Sequence, residues 1–353
     1  MTHPDLSAVV VNHRSAAHAV RCVASLREAM AGEGLRGEVV LVDCGSGGDE
    51  LGALAAAPAD VRVALAENRG YSGGINAGLA RATGHRLVLS NADVIFRPGS
   101  LRPLLDAVAH ESVGAAAPLL FWDGADQIRL PPGYPPDFWT DAAQLLGPRL
   151  PGGRRRFAAF ARRAIALWRD GGAVRHLTGA VLAVRRAVLD RVGRFDERFP
   201  FEYEETEWED RVRAAGFSLH VVAASRARHL WARSAAAGEG VGQRRARSRS
   251  LYRARRYGRT GRALLEWLEA ARPPHKAAPQ ARLEAPAVAR RAGASVAISP
   301  NASLLPFAAA RLDRDFCLPA ELADGLPAGP LYLTTFREDD GRPIETRVWV
   351  KDR

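Results

Sequence analysis

Short apolar runs alternate with longer amphipathic segments through the first hundred residues. Residues 8–11, 38–42, 61–65 and 86–90 are short, rich in β-branched side chains and bounded by turn formers, as buried parallel strands are. Between them, residues 16–31, 49–57 and 73–83 suit crossover helices. This alternation predicts an α/β domain whose sheet carries helices on both faces. In such sheets ligands gather beyond the carboxyl ends of the strands. Each run here is followed by a polar segment, at residues 12–15, 43–46, 68–70 and 91–93.

The pattern breaks over residues 122–175, where the proline-rich stretch 131–136 must be irregular because proline fixes φ and removes a donor. Residues 154–169 then read as a basic amphipathic helix. Regular structure returns at 177–184, a helix follows near 186–192, and an acidic helix is predicted from Glu204 to Ala215 with Gly216 beyond its cap. A strand at 218–222 precedes a loop that holds His229, with Trp231 and Ser234 beside it. Residues 240–268 read as basic helix and 269–290 as a linker rich in Ala, Pro and Arg. In the tail, residues 331–336 and 344–351 flank an Asp-Gly turn signal at Asp340-Gly341. The sequence therefore divides into residues 1–238, a basic helical segment and linker at 239–290, and a small β-rich module at 291–353.

With 47% hydrophobic and 25% charged residues in 353, the chain has the composition of a globular protein. No apolar run reaches the ~18–20 residues that a bilayer crossing needs, and residues 1–5 lack the basic and apolar character of a secretory leader. Cys22, Cys44 and Cys317 are too scattered for a disulfide framework or a clustered zinc site, so a reducing cytoplasm is expected. The net charge of +11 raises the question of nucleic acid. Nine arginines and no acid lie between Arg244 and Arg262. Tyr252 and Tyr257 interleave them, but no base-reading motif accompanies them. An anionic membrane surface is thus the preferred partner for this run and nucleic acid is disfavoured.

Candidate chemistry lies at the strand ends. Glycines 70, 73, 74 and 78 strip side chains from a strand-to-helix turn. That lets backbone N–H groups approach an anion, or lets the helix pack closely on the sheet. The stretch fits neither a dinucleotide fingerprint nor a P-loop. Asp93 suits a hard cation such as Mg2+ or Mn2+, or else caps a turn, and Asp43 carries the same ambiguity. Acids at the start of the 204–215 helix are favoured by its dipole in any case. Helical spacing sets Glu204, Trp208 and Arg211 on one side and Glu205 with Glu209 on another. One such carboxylate near a hydroxyl can act as a general base. His229 is a packing residue or a ligand, and Trp122, Trp139, Trp168 and Trp208 serve either the core or an acceptor groove.

Taken in order, residues 9–14, 42–46, 68–78, 90–94, 178–180 and 193–199, the acidic helix start and His229 resemble the family 2 glycosyltransferases of GT-A fold, nearest their bacterial rhamnosyltransferase-like branch. The resemblance covers residues 6–235. It implies a mixed, mostly parallel central sheet. It also implies inverting, metal-dependent transfer from a nucleotide-diphosphate sugar to a hydroxyl on a glycan, a lipid-linked carrier or a small molecule. By resemblance, Val11, Asn12, Arg14, Asp43, Asn68, Gly70, Gly74, Asn76, Asn91, Ala92 and Asp93 border the nucleotide sugar. Asp93 and His229 hold Mg2+ or Mn2+, and Thr178, Gly179, Ala180, Glu204 and Trp208 border the acceptor and the transferred sugar. Glu205 stands where the family has the aspartate that deprotonates the acceptor, with Glu204 as the alternative. Such an enzyme is expected in the cytoplasm, with the inner face of the cell membrane as a peripheral site.

The chain departs from the pattern twice. Asn91-Ala92-Asp93 keeps only the last acid of the metal motif, and Glu204-Glu205-Thr206-Glu207 replaces the usual Glu-Asp-x-Asp. The extra methylene moves a carboxylate by about one bond length, a shift to which catalytic geometry is sensitive. These departures motivate the alternative of a catalytically silent GT-A-like protein that binds nucleotide sugars or acts as a scaffold.

Overall fold

The computed structural model describes residues 4–133, 137–146, 153–230, 240–271, 282–301 and 303–352. The first half contains β1 (Leu6–Asn12), α1 (Ala16–Gly32), β2 (Gly37–Cys44), α2 (Gly48–Leu54), β3 (Val61–Leu65), α3 (Gly70–Leu79), β4 (Arg86–Asn91), β5 (Val94–Phe96), α4 (Leu101–Ala109) and β6 (Val113–Phe121). There follow α5 (Phe138–Leu146), α6 (Gly153–Asp170), β7 (Gly172–Val174), β8 (Val181–Arg185), α7 (Arg186–Val192), α8 (Glu204–Ala214), β9 (Ser218–His229) and α9 (Val241–Ala270). The last part is β10 (Arg282–Leu283), β11 (Ala287–Val288), β12 (Ala294–Ser299), β13 (Ala308–Arg311), β14 (Phe316–Cys317), α10 (Ala320–Gly325), β15 (Gly329–Arg337) and β16 (Pro343–Lys351).

These elements form two compact units, residues 1–120 with 171–256, and residues 121–170 with 257–353. The division differs from the boundaries read in the sequence at 238 and 290. Residues 121–170 join the C-terminal strands because the apolar stripe of α6 belongs to their core: Phe157 stacks on Phe307 at 5.0 Å and meets Phe336 edge-on at 5.7 Å. Helix α9 is divided after Arg256, close to Gly258, whose φ of +71° interrupts the helical backbone.

In the first unit the sheet order is β3-β2-β1-β4-β8-β6-β9-β5, with β7 added beside β9. The strands β3, β2, β1 and β4 are parallel, whereas β8 runs antiparallel to β4 and β6, and β5 runs antiparallel to β9. Right-handed crossovers put α1 and α2, which lead outward from β1 to β3, on one face. Helix α3 leads back from β3 to β4 and so covers the other. Every residue of β1 is buried. Strand β3, expected to be buried like its neighbours, instead alternates half-buried and exposed residues, a consequence of its place at the sheet edge.

Helix α3 begins at Gly70 rather than Gly73, so the glycine-rich stretch is itself helical. It rides directly on the sheet: a Cβ on Gly74 would lie 2.5 Å from Val11 Cγ1, and one on Gly78 would lie 2.3 Å from Val9 Cγ1. Strand β9 runs to His229, well past the expected end at 222, which places His229 on a strand and not in a loop. Its Ala-Ala-Ser-Arg-Ala-Arg sequence lacks the apolar alternation that would reveal it. Trp231, Ser234, residues 134–136 of the proline stretch and residues 272–281 of the linker lie outside the described residues.

The second unit contains a five-stranded sheet, β10-β16-β15-β12-β13, and a small β11–β14 pair. The predicted Asp-Gly hairpin is present as antiparallel β15 and β16. Part of the expected linker is strand: β10 pairs in parallel with β16. Among the described residues no helix is long and apolar enough to cross a membrane.

Candidate active site

The parallel register sets Asn12 beside Asp43 and Val11 beside Asn91, which lines polar residues along the carboxyl edge of the sheet. Asn12 Nδ2 donates to Asp43 Oδ1 at 2.8 Å, Ser15 Oγ donates to Asn12 Oδ1 at 2.8 Å, and Ser46 N donates to Asp43 Oδ2 at 2.9 Å. Asp43 is buried and builds the turn after β2. Arg14 is exposed, and its backbone N–H donates to Ser46 Oγ at 2.8 Å. Asn68 accepts the Gly70 N–H at 2.8 Å and so starts α3. Asn76 is bound within the protein: its Nδ2 donates to Phe195 O and Glu197 Oε1, each at 2.9 Å, and its Oδ1 accepts the Phe195 N–H at 3.2 Å. Gly74 and Val11 pack on each other.

Asp93 and His229 are brought together by strand pairing. Val94 lies opposite His229 in the β5–β9 ladder, and Leu230 N donates to Asp93 O at 3.0 Å. The His229 Nε2 lies 3.3 Å from Asp93 Oδ1, with both side chains buried. The preceding Ala92 is buried as well. Among the described residues no group of three or more His, Cys, Asp or Glu has the arrangement of a metal cage. The Asp93–His229 pair offers one hard oxygen and one imidazole nitrogen.

A second cluster forms where β8 meets β4. Asn91 N donates to Ala180 O at 3.0 Å, which draws Thr178, Gly179 and Ala180 to the strand end. Tyr71 donates its hydroxyl to Gly179 O at 3.2 Å. A Cβ on Gly179 would lie 2.8 Å from Glu205 Cγ, so the Glu205 stem lies across this glycine. Glu204 and Glu205 open α8, after two non-glycine residues in the left-handed region, Glu202 at φ +60° and Tyr203 at φ +69°. Such backbone is costly and persists only where its surroundings enforce it. Helix α9 does so here. Ser248 Oγ accepts the Phe201 N–H at 3.2 Å, Arg245 pairs with Glu202 at 2.7 Å, and the Tyr252 ring lies 5.3 Å from that of Tyr203.

Burial pushes the Glu204 carboxyl well above the usual range, with Glu205 adding to the effect, and its buried Oε2 has no hydrogen-bond partner among the described residues. Burial raises Glu205 to about 7, with His176 opposing the rise and Glu209 adding to it. The Tyr71 hydroxyl is raised by burial and then by the charges of Glu204, Glu205 and Asp93. Tyr71, His176 and Glu209 were not singled out as site residues in the sequence. His176 Nδ1 bonds Glu209, which is fully buried and also accepts the Leu177 N–H at 3.2 Å. Burial works against charge on His176, but Glu209 and then Glu205 outweigh it and hold the imidazole above its ordinary value. The i, i+4 relation of Glu205 and Glu209 and the position of His176 just before Thr178 were the available signals.

One expectation is corrected. Trp208 does not border an acceptor: it is fully buried, stacks on Phe195 at 5.1 Å and donates Nε1–H to Gly193 O at 3.0 Å. Its i, i+4 relation to Glu204 turns it into the core. Of the other tryptophans, Trp122 and Trp168 are buried and Trp139 is exposed. Part of the arginine run expected to meet a membrane is paired within the chain. Arg255 pairs with Asp196 at 2.7 Å and Glu207 at 3.5 Å, and Arg256 pairs with Asp210 at 3.5 Å. These arginines face the acids of α8 and of the segment before it.

The sheet, parallel over β3-β2-β1-β4 and antiparallel beyond, has the layout of the GT-A fold, and an acid–imidazole pair lies at its carboxyl edge. Residues 7–168 match the family described as glycosyl transferase family 2. It is 38% identical over 130 residues to the succinoglycan biosynthesis protein ExoO of Rhizobium meliloti, covering 36% of this chain and 35% of that protein. It is 32% identical over 156 residues to the N-acetylglucosaminyl-diphospho-decaprenol L-rhamnosyltransferase of Mycobacterium tuberculosis, covering 40% of this chain and 46% of that one. The matches thus span between a third and a half of the length of these curated relatives. Among solved structures, the mannosyltransferase PcManGT from Pyrobaculum calidifontis in complex with GDP-Man and Mn2+ aligns with a TM-score of 0.49 and 18% identity, over 76% of this chain and 73% of that chain.

Proposed function

We propose that this protein transfers a sugar, with inversion, from a nucleotide-diphosphate sugar to an acceptor hydroxyl. The observation that carries the reading is the seating of Glu205 on Gly179 beside the buried Glu204, with His229 against Asp93 at the strand end. A carboxylate that titrates near 7 is matched to general-base work at neutral pH. Glu205 accepts the acceptor proton as the acceptor oxygen attacks the anomeric carbon, and the bond electrons leave with the diphosphate. One in-line displacement inverts the configuration. The longer glutamate side chain is accommodated because Gly179 leaves room beneath its stem.

Asp93 and His229 fit a hard divalent cation bound together with its substrate. A carboxylate and an imidazole leave coordination positions for water and diphosphate oxygens, and the Asp93 carboxylate is the hard ligand that such cations take at phosphate sites. When bound, Mg2+ or Mn2+ supplies positive charge to the leaving diphosphate. Asn12, Asp43, Asn68 and Asn91 edge the nucleotide side, and Thr178 to Ala180 with Glu204 edge the transferred sugar. The name of the mycobacterial relative suggests a lipid-diphosphate-linked acceptor, which would bring the chain to the inner surface of a membrane.

The test is release of nucleoside diphosphate by the full chain from dTDP-rhamnose and a panel of UDP- and GDP-sugars, with Mg2+ or Mn2+. Glu205→Gln should lower turnover by about 10²–10⁴-fold, and Asp93→Asn should abolish metal-stimulated turnover. Donor binding without turnover, unchanged by Glu205→Gln, identifies a silent binding or scaffold protein. Absence of both binding and turnover across the panel refutes the sugar-transfer reading.

A further inference from the structure

The Glu209 carboxylate lies one helical turn beyond Glu205 on α8 and is fully buried. It takes the Leu177 N–H at 3.2 Å and the His176 imidazole, and these bonds staple residues 176–177 to the helix. The same short segment ends in Gly179, on which the Glu205 stem lies and whose carbonyl accepts the Tyr71 hydroxyl. The staple therefore fixes the floor beneath Glu205. It also settles a charge problem, since an uncompensated buried carboxylate beside Glu205 would oppose ionisation of the base. Around Glu205 stand Glu202, Glu204, Glu209 and His176, and around His176 stand Glu209, Glu205 and Arg213. His176 is thus a neighbouring group able to offset the acids.

We infer that His176, acting through Glu209, is a positioning residue that seats Glu205 and favours its ionised form. This rests on the reading of Glu205 as the base, and two kinds of measurement separate the two ideas. The first needs no turnover. In NMR titrations of the full chain, Glu209→Gln should lower the His176 imidazole midpoint, and His176→Gln should raise the Glu205 carboxyl midpoint. Either midpoint staying in place overturns the inference.

The second measurement uses whichever donor sugar the chain turns over. His176→Gln should move the acid limb of the kcat/KM profile upward by about one pH unit, a loss of up to tenfold below the limb. Donor KM should not change. Removing both charges, in His176→Gln with Glu209→Gln, should bring the limb back toward its original place. A uniform loss of kcat with no movement of the limb, and no recovery in the double variant, leaves His176 as packing only and overturns the inference. Glu209→Gln serves if His176→Gln fails to fold. A chain that turns over no donor counts against the sugar-transfer reading alone, because the NMR titrations still decide the coupling.

Discussion

Glu205 is held protonated up to about pH 7 because burial disfavours its charge. Activity that needs its ionised form should therefore rise through about pH 7 and level off above it, as a kcat/KM profile in a constant-ionic-strength buffer will show. Stability runs the other way. A carboxyl whose folded-state value is raised contributes fully below the ordinary glutamate range, and that contribution is lost as pH rises through about 7. Glu205→Gln should thus leave thermal stability unchanged at about pH 5 and increase it by roughly 1–3 kcal/mol at about pH 8, while removing turnover. Gly179→Ala tests the same seat sterically. Its methyl would meet Glu205 Cγ at 2.8 Å, so a loss of about 1–3 kcal/mol in chemical denaturation is expected, together with reduced kcat. Of these candidate residues, Asp93, Glu205 and His229 stand out in the sequence because they occupy motif positions. Tyr71, His176 and Glu209 do not, because their importance comes from contacts between segments far apart in the chain.

At the scale of elements, Gly74 and Gly78 of α3 are explained by packing on the sheet. Gly78→Ala would drive a methyl to within 2.3 Å of Val9 Cγ1, and urea denaturation should show a loss of about 1–3 kcal/mol whether or not a nucleotide sugar is added. The first half of α9 acts as a brace for the strained turn that leads into α8. Replacing Arg245, Arg255 and Arg256 together by alanine should lower the melting temperature in low salt, less so in high salt, because partly exposed ion pairs are screened. Most element types were readable from local patterns: β1 to β4, α6 to α8 and the β15–β16 hairpin follow hydrophobic period and turn chemistry. The far end of β9 was hidden, since alternating alanine and arginine carry no apolar signal. Its strand character comes from pairing with β5 and β7.

At the scale of the molecule, the three-block division read from the sequence gave way to two units that share the chain in alternating stretches. Composition shifts mark linkers, but they do not reveal that α6 belongs with strands far later in the chain. That assignment is made by the aromatic cluster of Phe157, Phe307 and Phe336. A chain truncated after residue 270 would strip α6 of those partners, so it should be recovered in inclusion bodies and not as a smaller working enzyme.

The interleaving also bears on synthesis. Helix α6 leaves the ribosome with its greasy side uncovered and must wait for Phe336 to be translated, so the nascent chain passes through a long interval in which holdase chaperones would find it a natural client.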